Sequence, residues 1–532
     1  MADASMQEPV KAPLTALLIP AILGLYLVAT STVSLSSHLA ILDATRLAEF
    51  LVFALVLLMA LIDPAIRTAT AYEMARVPKT MRFGLVLFFA CGVISSVVNA
   101  QFLSGLAYSL VDVALLGLVL CLLFVVAACR ALAGTAFDRL AISFLTLLGL
   151  AVGVQELAGV LAARAEGYEF SYDIALIHFA HPRSWNQLQS WTVPVIAALP
   201  LVFPRQRLAT LLCVLALGLH WYILLMTGAR GSTAGLGVAF LLVCILSPAV
   251  RRPLIKWQSA GLLLGLLIYG IIYMGSGSGL SPDIDTTPWT GRPPAASPQA
   301  PAQAEDRGAG SSKDAKDNAF FAESIGRPML HTTGRTGLWK QSLEYARDNP
   351  LWGIGPMNFA CLGPEGRVGS PHNLAMQIVS EWGIPALGIL LGLGVLLASR
   401  LFHLLRNCKD PDQPEAALSA LLVCGILSAL MLCAVAGVFI TPASQISASL
   451  VGGWLLGQSR HAQSCRSPQS ASSHGRFARA FLVTATACSL LLLPFGWHEI
   501  SRMPAYQQML PEVDSERPRL WQAGRACSIH EW

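Results

Sequence analysis

The sequence has few charged residues for its length, and this scarcity decides its broad class. Only 13% of its 532 residues are Asp, Glu, Lys or Arg, whereas 54% are hydrophobic; an ordinary soluble domain is about 25% charged. Apolar stretches of roughly 18 residues or more, long enough to cross a bilayer core of about 30 Å as a helix, recur along nearly the whole chain. The composition excludes a soluble protein and predicts an all-α polytopic membrane protein.

Other features are missing as well. The chain has no CxxC pair and no His/Cys spacing of the kind that binds a metal ion, so no metal site is predicted. No internal repeat is evident, which argues against the inverted repeats of many transporters. The first apolar segment can serve as its own insertion signal, so no cleavable signal peptide is needed. The net charge of +5 is explained by membrane topology and gives no indication of a nucleic-acid partner.

Most of the 12 cysteines fall inside apolar segments, where a free thiol behaves as a small apolar group. Cys361 and Cys527 fall outside them, in predicted external regions where a disulfide can persist. They are able to pair, although two free thiols are the preferred interpretation.

Thirteen apolar segments are predicted to span the membrane, which gives about 12 to 13 transmembrane helices. They cover approximately residues 13–31, 42–62, 83–98, 106–129, 140–161, 188–203, 208–227, 231–248, 256–275, 375–399, 416–438, 444–458 and 478–497.

The distribution of Lys and Arg predicts the orientation, since positively charged loops stay on the cytoplasmic side. Alternate loops are basic, whereas the short loops between them hold only four arginines. The basic loops carry Arg67, Arg76, Lys79 and Arg82, then Arg130 and Arg139, Arg205 and Arg207, Arg251, Arg252 and Lys256, Arg400, Arg406 and Lys409, and Arg460, Arg466, Arg476 and Arg479; the others carry Arg46, Arg164, Arg183 and Arg230. The N-terminus is therefore expected in the cytoplasm and the C-terminal tail outside.

This topology divides the chain into segments. We expect spans one to nine in residues 1–275, a large external loop in 276–373, spans ten to twelve in 374–458, a basic cytoplasmic loop in 459–477, a final span in 478–497 and an external tail in 498–532.

The large external loop has two parts of different composition. Residues 281–318 are rich in Pro, Ala, Ser and charge, which predicts disorder. Residues 330–373 are predicted to be ordered and to carry the catalytic groups. They hold a short amphipathic helix with Thr332 or Thr333 as N-cap and Asn349-Pro350 as its stop, followed by the glycine-rich turn "WGIGPMNF".

A histidine stands where this loop turns into the next span, in "GSPHNLAMQIVSEWG". If Ser370 caps that helix, Pro371 takes the first helical position and His372 lies in the first turn. The free N–H groups and positive dipole end there disfavour imidazolium and favour a nearby anion. His372 is therefore a candidate neutral base beside an anionic ligand; the alternative is an interfacial histidine that only packs.

Two arginines share the predicted external face with this histidine. Arg230, in "TGARGS", lies between two spans that nearly touch, and ionisable groups at such depth tend to be paired or functional. Arg335 begins the predicted loop helix in "TTGRTGLW". Arginine suits bidentate phosphate recognition, so the three residues together could cradle a diphosphate. The alternatives are a snorkelling Arg230 and a solvated Arg335.

Arg183, Asn373 and Ser370 are weaker candidates, for substrate binding; for Arg183, anchoring at the membrane interface beside Trp185 and Trp191 is the preferred interpretation. Glu156 and Asp112 are carboxylates within predicted spans and are candidates to line a cavity.

The motifs "TGARGS", "GRTGLW", "NPLWGIG" and "PHN" followed by Gly383, in this order, resemble the O-antigen ligase family of bacterial glycan transferases. The resemblance covers roughly residues 180–400, and Ala386 replaces the last glycine of the family's pattern. It implies a helical membrane (GT-C-like) glycosyltransferase of the inner membrane that needs neither metal nor cofactor. It also implies that Arg230 and Arg335 bind the diphosphate of an undecaprenyl-diphosphate-linked glycan on the periplasmic face, and that His372 is the essential loop histidine.

Three acceptors are compatible with this resemblance. Ligation of O-antigen to lipid A core is expected first; transfer to periplasmic or pilin-type proteins by an O-oligosaccharyltransferase comes next, and extension of another lipid-linked glycan by a polymerase follows. A transporter, from a different class, ranks last, because the strongest polar cluster is external rather than at the bilayer midplane.

Overall fold

The computed structural model describes residues 13–35, 39, 41–100, 103–166, 176, 178–179, 182–274, 335–362, 369–408, 413–458 and 472–509. Over these residues the secondary structure is helical and contains no strand. The predicted disordered segment 281–318, the caps Thr332 and Thr333, Cys527 and the side chain of Cys361 lie outside the described residues.

The helices follow one another through short connections. They are α1 (Leu14–Thr32), α2 (Ile41–Ile62), α3 (Pro64–Arg76), α4 (Lys79–Val98), α5 (Leu103–Ala133), α6 (Thr135–Ala165), α7 (Pro182–Ile196), α8 (Leu199–Val202), α9 (Arg207–Met226), α10 (Arg230–Leu246), α11 (Pro248–Met274), α12 (Arg335–Asp348), α13 (Phe359–Leu362), α14 (Leu374–Asn407), α15 (Pro414–Cys433), α16 (Pro442–Gln458) and α17 (Ser472–Met509).

Within the described part of the chain, 10 helices are long and apolar enough to cross a membrane: α1, α2, α4, α5, α6, α9, α11, α14, α15 and α17. The prediction of an all-α polytopic membrane protein is thereby confirmed. The three remaining predicted spans correspond to shorter helices, with α7 and α8 covering the predicted 188–203, α10 covering 231–248 and α16 covering 444–458.

Two of these shorter helices reach from one end of the bundle to the other. At the start of α10, Ser232 Oγ donates to the Asn186 carbonyl (3.3 Å), and just after its end Ser247 Oγ donates to the Cys408 carbonyl (3.1 Å). The last residue of α16, Gln458, accepts from Ser419 near the start of α15 (2.5 Å). We call the end at which α7, α10, α14 and α16 begin, and α9 and α15 end, the upper face.

Small residues allow close helix packing in the centre of the bundle. A Cβ at Gly453 would lie 2.4 Å from the Leu123 carbonyl oxygen, and one at Gly457 would lie 2.5 Å from that of Ala127. Helices in lipid associate mainly by such packing and by hydrogen bonds between them. Trp454, fully buried on the same helix, donates to Asp138 on α6 (2.6 Å), so the centre is also joined by polar contacts.

The structure differs from the sequence prediction by one additional helix and by the extent of several predicted ones. The predicted loop that carries Arg67 and Arg76 contains α3, whose start is capped by Asp63 through bonds from the Ala65 and Ile66 N–H groups. The last helix extends beyond the predicted 478–497 at both ends. The predicted loop helix is present as α12 and ends just before Asn349-Pro350.

Candidate functional site

The loop histidine does not lie inside a helix. Asn373 is the N-cap of α14, and its Oδ1 accepts from the Met376 N–H (3.1 Å). The prediction that Ser370 caps this helix, with Pro371 at its first position and His372 in its first turn, is therefore wrong. Asn ranks among the strongest N-cap residues, and its extended backbone here (φ −153°) suits that position.

His372 directly precedes this cap in a left-handed backbone conformation with φ 53°. Histidine is among the residues that adopt this region more often than most. Ser370 is buried, and its Oγ accepts from the His372 N–H (3.4 Å), which supports the turn. The half-buried imidazole thus belongs to a fixed turn immediately before the positive end of α14.

Residues 434–441, which we call the α15–α16 connection, join several helix ends on the upper face. Asn373 Nδ2 donates to the Ala434 carbonyl (2.8 Å), which ties the start of α14 to this connection. A Cβ at Gly231 would lie 3.0 Å from Val435 Cγ2, so the start of α10 also packs against it. Arg230, exposed and first in α10, therefore shares this neighbourhood with the turn that holds His372.

Arg335 is the first residue of α12 and is half-buried. Burial lowers the pKa of its guanidinium from the ordinary value, because desolvation disfavours the charged form. One turn further along α12, Trp339 Nε1 donates to the Pro371 carbonyl (3.0 Å). This bond brings the helix of Arg335 onto the residue that precedes His372.

The turn at residues 350–358, which we call the docked turn, rests on α14 through backbone hydrogen bonds. The Ile354 N–H donates to the Ser380 carbonyl (2.8 Å) and the Gly355 N–H to the Glu381 carbonyl (2.9 Å). The Ile384 N–H donates to the Pro350 carbonyl (2.9 Å). These backbone hydrogen bonds fix the docked turn, and with it the end of α12, against the first third of α14.

Gly383 makes this docking possible. Its φ of 88° and ψ of 173° interrupt α14, and a Cβ there would lie 2.3 Å from the Leu351 carbonyl oxygen. Only glycine adopts this conformation without strain and leaves room for the approaching backbone. The "NPLWGIG" motif and Gly383, separate in the sequence, therefore form one structural unit.

The start of α7 also lies on the upper face. Asn186 Nδ2 donates to Thr227 Oγ1 (3.1 Å), and Thr441 Oγ1 donates to Gln187 Oε1 (2.9 Å). Arg183 is exposed one turn earlier. Trp185 and Trp191 are buried within the bundle, so these two side chains pack inside the protein and do not anchor it at the membrane interface.

Sequence reasoning missed a buried ionic group beneath the α15–α16 connection. Arg46 was expected in an external loop, but it lies in α2 and pairs with Glu49 (2.5 Å). Its guanidinium also donates to Gln445 Oε1 (2.6 Å) and to the Ile440 carbonyl. The available signal was an Arg and a Glu three residues apart at the start of an apolar helix, because such charges are costly unless paired.

These contacts gather five of the six candidate residues, Arg230, Arg335, Ser370, His372 and Asn373, around the α15–α16 connection and the turn before α14. Arg183, the sixth candidate, lies at the start of α7, whose residues Asn186 and Gln187 bond to Thr227 and to Thr441 of this connection. Over the described residues, no group of three or more His, Cys, Asp or Glu side chains is arranged to hold a metal ion.

Residues 211–391 match a family model, Wzy_C, described as O-antigen ligase. The matched segment runs from α9 into α14 and contains Arg230, Arg335 and His372. No curated protein matches the chain. Residues 211–391 are therefore similar to the O-antigen ligase family.

Proposed function

We propose that this protein transfers a preassembled glycan from undecaprenyl diphosphate to an acceptor on the periplasmic face of the bacterial inner membrane. The match of residues 211–391 to the O-antigen ligase family model supports lipid-linked glycan transfer of the ligase or polymerase type. Ligation of O-antigen to lipid A core is the proposed reaction.

The observation that carries the proposal is the convergence of two arginine-bearing helix starts on the histidine turn. Trp339 ties the helix of Arg335 to Pro371, while Asn373 and Gly231 tie His372 and Arg230 to the same connection. Two arginines at helix starts in the neighbourhood of the N-terminus of α14 supply positive charge suited to a diphosphate.

In the proposed reaction, a hydroxyl oxygen of the acceptor forms a bond to the anomeric carbon of the glycan, and the bond from that carbon to the diphosphate breaks. Arg230 and Arg335 stabilise the negative charge on the departing lipid diphosphate, a type of contact that supplies about 3 kcal/mol or more when preorganised. His372 accepts the hydroxyl proton, a role worth roughly 100- to 10,000-fold in rate. The arginines supply the positive charge, so the proposed reaction is independent of metal ions.

The proposed orientation puts the upper face in the periplasm and the N-terminus in the cytoplasm. It is supported by the scarcity of Lys and Arg in the short loops at that face and by their abundance at the other. A cysteine at the exposed position of Lys340 should react with an impermeant thiol reagent after the outer membrane alone is permeabilised. Labelling only after the inner membrane is broken would contradict this orientation.

The proposed function is tested with the purified protein in proteoliposomes that contain an undecaprenyl-diphosphate-linked glycan. Lipid A core, an unfolded pilin-type peptide and a second lipid-linked glycan are offered as acceptors, with and without EDTA. We expect EDTA-insensitive transfer to lipid A core and none by His372→Ala.

A deletion strain gives the same distinction in cells. Loss of long-chain lipopolysaccharide alone indicates the ligase, loss of protein glycosylation indicates the O-oligosaccharyltransferase, and lipopolysaccharide with a single repeat unit indicates the polymerase. Full activity of His372→Ala, or transfer to none of the acceptors, would contradict the proposed function.

A further inference from the structure

A cleft beside the candidate site has no part in the proposed diphosphate chemistry. It consists of two adjoining cavities that share Ser31, His178 and Phe179 in their walls. One cavity extends to Ser184 and Thr441, and the other extends to Glu156. We call the two together the side cleft.

Two polar atoms in the wall of the side cleft are buried without a partner. Glu156 Oε2 accepts from the Leu176 N–H (2.6 Å), but Oε1 has no hydrogen-bond partner among the described residues. The same is true of Ser31 Oγ. Glu156 is only 6% exposed and Ser31 only 1% exposed. A buried polar atom without a hydrogen bond is unfavourable, so both groups favour a ligand that brings hydroxyl groups to them.

The remaining polar groups of the side cleft are neutral. Gln155 Nε2 lies 2.5 Å from His178 Nε2, and it also donates to the Thr32 carbonyl (3.3 Å). Burial lowers the pKa of His178 from its ordinary value, so the imidazole is uncharged near neutral pH and can both donate and accept a hydrogen bond. Phe179 adds an aromatic ring to the wall.

This set of groups selects among classes of ligand. The described lining residues include no Lys or Arg, so the side cleft does not suit a diphosphate or another anion. One carboxylate is too few for a divalent cation, which takes several oxygen ligands. A carboxylate oxygen, a serine hydroxyl, an amide, an imidazole and an aromatic ring match a neutral polyol, whose hydroxyl groups donate and accept and whose C–H face packs on the ring.

The position of the side cleft relates it to the candidate site. Thr441 ends the α15–α16 connection, and its Oγ1 bonds to Gln187 on α7. The other end of that connection holds Asn373, next to His372. A glycan bound in the side cleft would therefore extend along this connection towards the proposed reaction centre.

We propose that the side cleft binds a neutral sugar of one of the two glycan substrates, with Glu156 and Ser31 hydrogen-bonded to its hydroxyl groups. This inference rests on the proposed function for the identity of the substrates. The sugar belongs either to the acceptor or to the lipid-linked donor, and the experiment distinguishes these sources.

The kinetic test uses Ser31→Ala and Glu156→Gln in the full-length protein in proteoliposomes. Ser31→Ala removes an unpaired buried hydroxyl, so a merely structural serine predicts unchanged or slightly higher thermal stability and unchanged kinetics. A sugar contact instead predicts a KM about three- to tenfold higher for one substrate, with kcat nearly unchanged. A higher KM for the acceptor assigns the sugar to the acceptor, and a higher KM for the donor assigns it to the donor.

Matched controls are available for both variants. Ser428 Oγ is also buried without a partner among the described residues but does not line the side cleft, so Ser428→Ala tests the loss of a buried hydroxyl alone. Glu166 directly follows the helix of Glu156 and is exposed, so Glu166→Gln tests the loss of a charge nearby. Both controls should keep the KM values of the wild type.

A binding measurement separates this inference from the proposed function, because it needs no turnover. Saturation-transfer NMR of the detergent-solubilised chain, with lipid-free core oligosaccharide or lipid-free repeat-unit glycan, should show transfer to one of them that Ser31→Ala weakens. Wild-type transferase activity with unchanged KM in both variants and no saturation transfer would overturn the inference and leave the proposed function intact. Saturation transfer without transferase activity would support the sugar site and contradict the proposed function.

Discussion

The docked turn and the α15–α16 connection lie on the same face, but they are held in place by different kinds of contact. The docked turn exchanges backbone hydrogen bonds with α14 at the break made by Gly383, and its carbonyls also accept from Ser95, Asn99 and Ser109 on or next to α4 and α5. The α15–α16 connection is held by side chains from several helices, including Arg46, Gln187 and Asn373. Each region has one arginine nearby, since Arg335 begins the helix before the docked turn and Arg230 directly precedes Gly231, which packs against the connection.

The difference shows how one rigid histidine turn can be assembled from unrelated supports. Pro371, before His372, accepts from the α12 side, and Asn373, after it, donates to the connection. A disturbance of either support should therefore alter the position of His372, but the two disturbances should lower the stability of the protein by different amounts. Loss of a buried charge beneath the connection should cost more stability than loss of a backbone contact at the docked turn.

The largest effect is expected from removal of the two arginines. Arg335→Ala and Arg230→Ala should each reduce transfer about 100-fold or more, because each removes a charge proposed to stabilise the leaving diphosphate. Arg347→Ala, on the exposed part of the same helix as Arg335, is the control and should keep full activity. Initial rates in proteoliposomes measure this. An effect of only one of the two would restrict the diphosphate site to a single region.

The next effect concerns the stability of the α15–α16 connection. Glu49→Leu leaves the guanidinium of Arg46 buried without its carboxylate, and breaking a buried pair in this way costs about 3 to 5 kcal/mol. The melting temperature in detergent should therefore fall strongly, and Arg46→Met combined with Glu49→Leu should recover much of the loss. Glu344→Gln, which removes an exposed pair with Lys340, should leave the melting temperature unchanged. Equal melting temperatures for Glu49→Leu and the wild type would show that the ion pair does not stabilise the connection.

These two regions also differ in how far they could be predicted from the sequence. The spans, the loop helix and the "NPLWGIG" turn follow from apolar runs and from Gly and Pro positions, which are local signals. The cap at Asn373 was missed because Ser370-Pro371 offered an equally good local pattern, and only the contact with Ala434 distinguishes the two. The pairing of Arg46 with Gln445 joins residues 399 positions apart, which no local pattern reveals.

A smaller effect is expected at the docked turn. Gly383→Ala places a Cβ at a positive φ and 2.3 Å from the Leu351 carbonyl oxygen, so the backbone of the docked turn must shift. Strain at such a residue costs about 1 to 3 kcal/mol. We expect a lower melting temperature and a lower kcat, because the end of α12 moves with the docked turn. Gly388→Ala, in open space on the same helix, should change neither quantity; a loss as large in Gly388→Ala would attribute the effect to α14 in general.

The smallest effect is expected at the hydrogen bond that joins α12 to the histidine turn. Trp339→Phe keeps an aromatic ring, although a smaller one, but removes the donor to the Pro371 carbonyl, and loss of such a bond costs about 0.5 to 1.5 kcal/mol. Since the bond orients the turn before His372 more than it stabilises the bundle, kcat should fall severalfold while the melting temperature changes little. Trp497→Phe, at an exposed position on α17, should change neither. If Trp339→Phe lowered the melting temperature and left kcat unchanged, α12 would stabilise the upper face without positioning His372, and the docked turn would be a purely structural support.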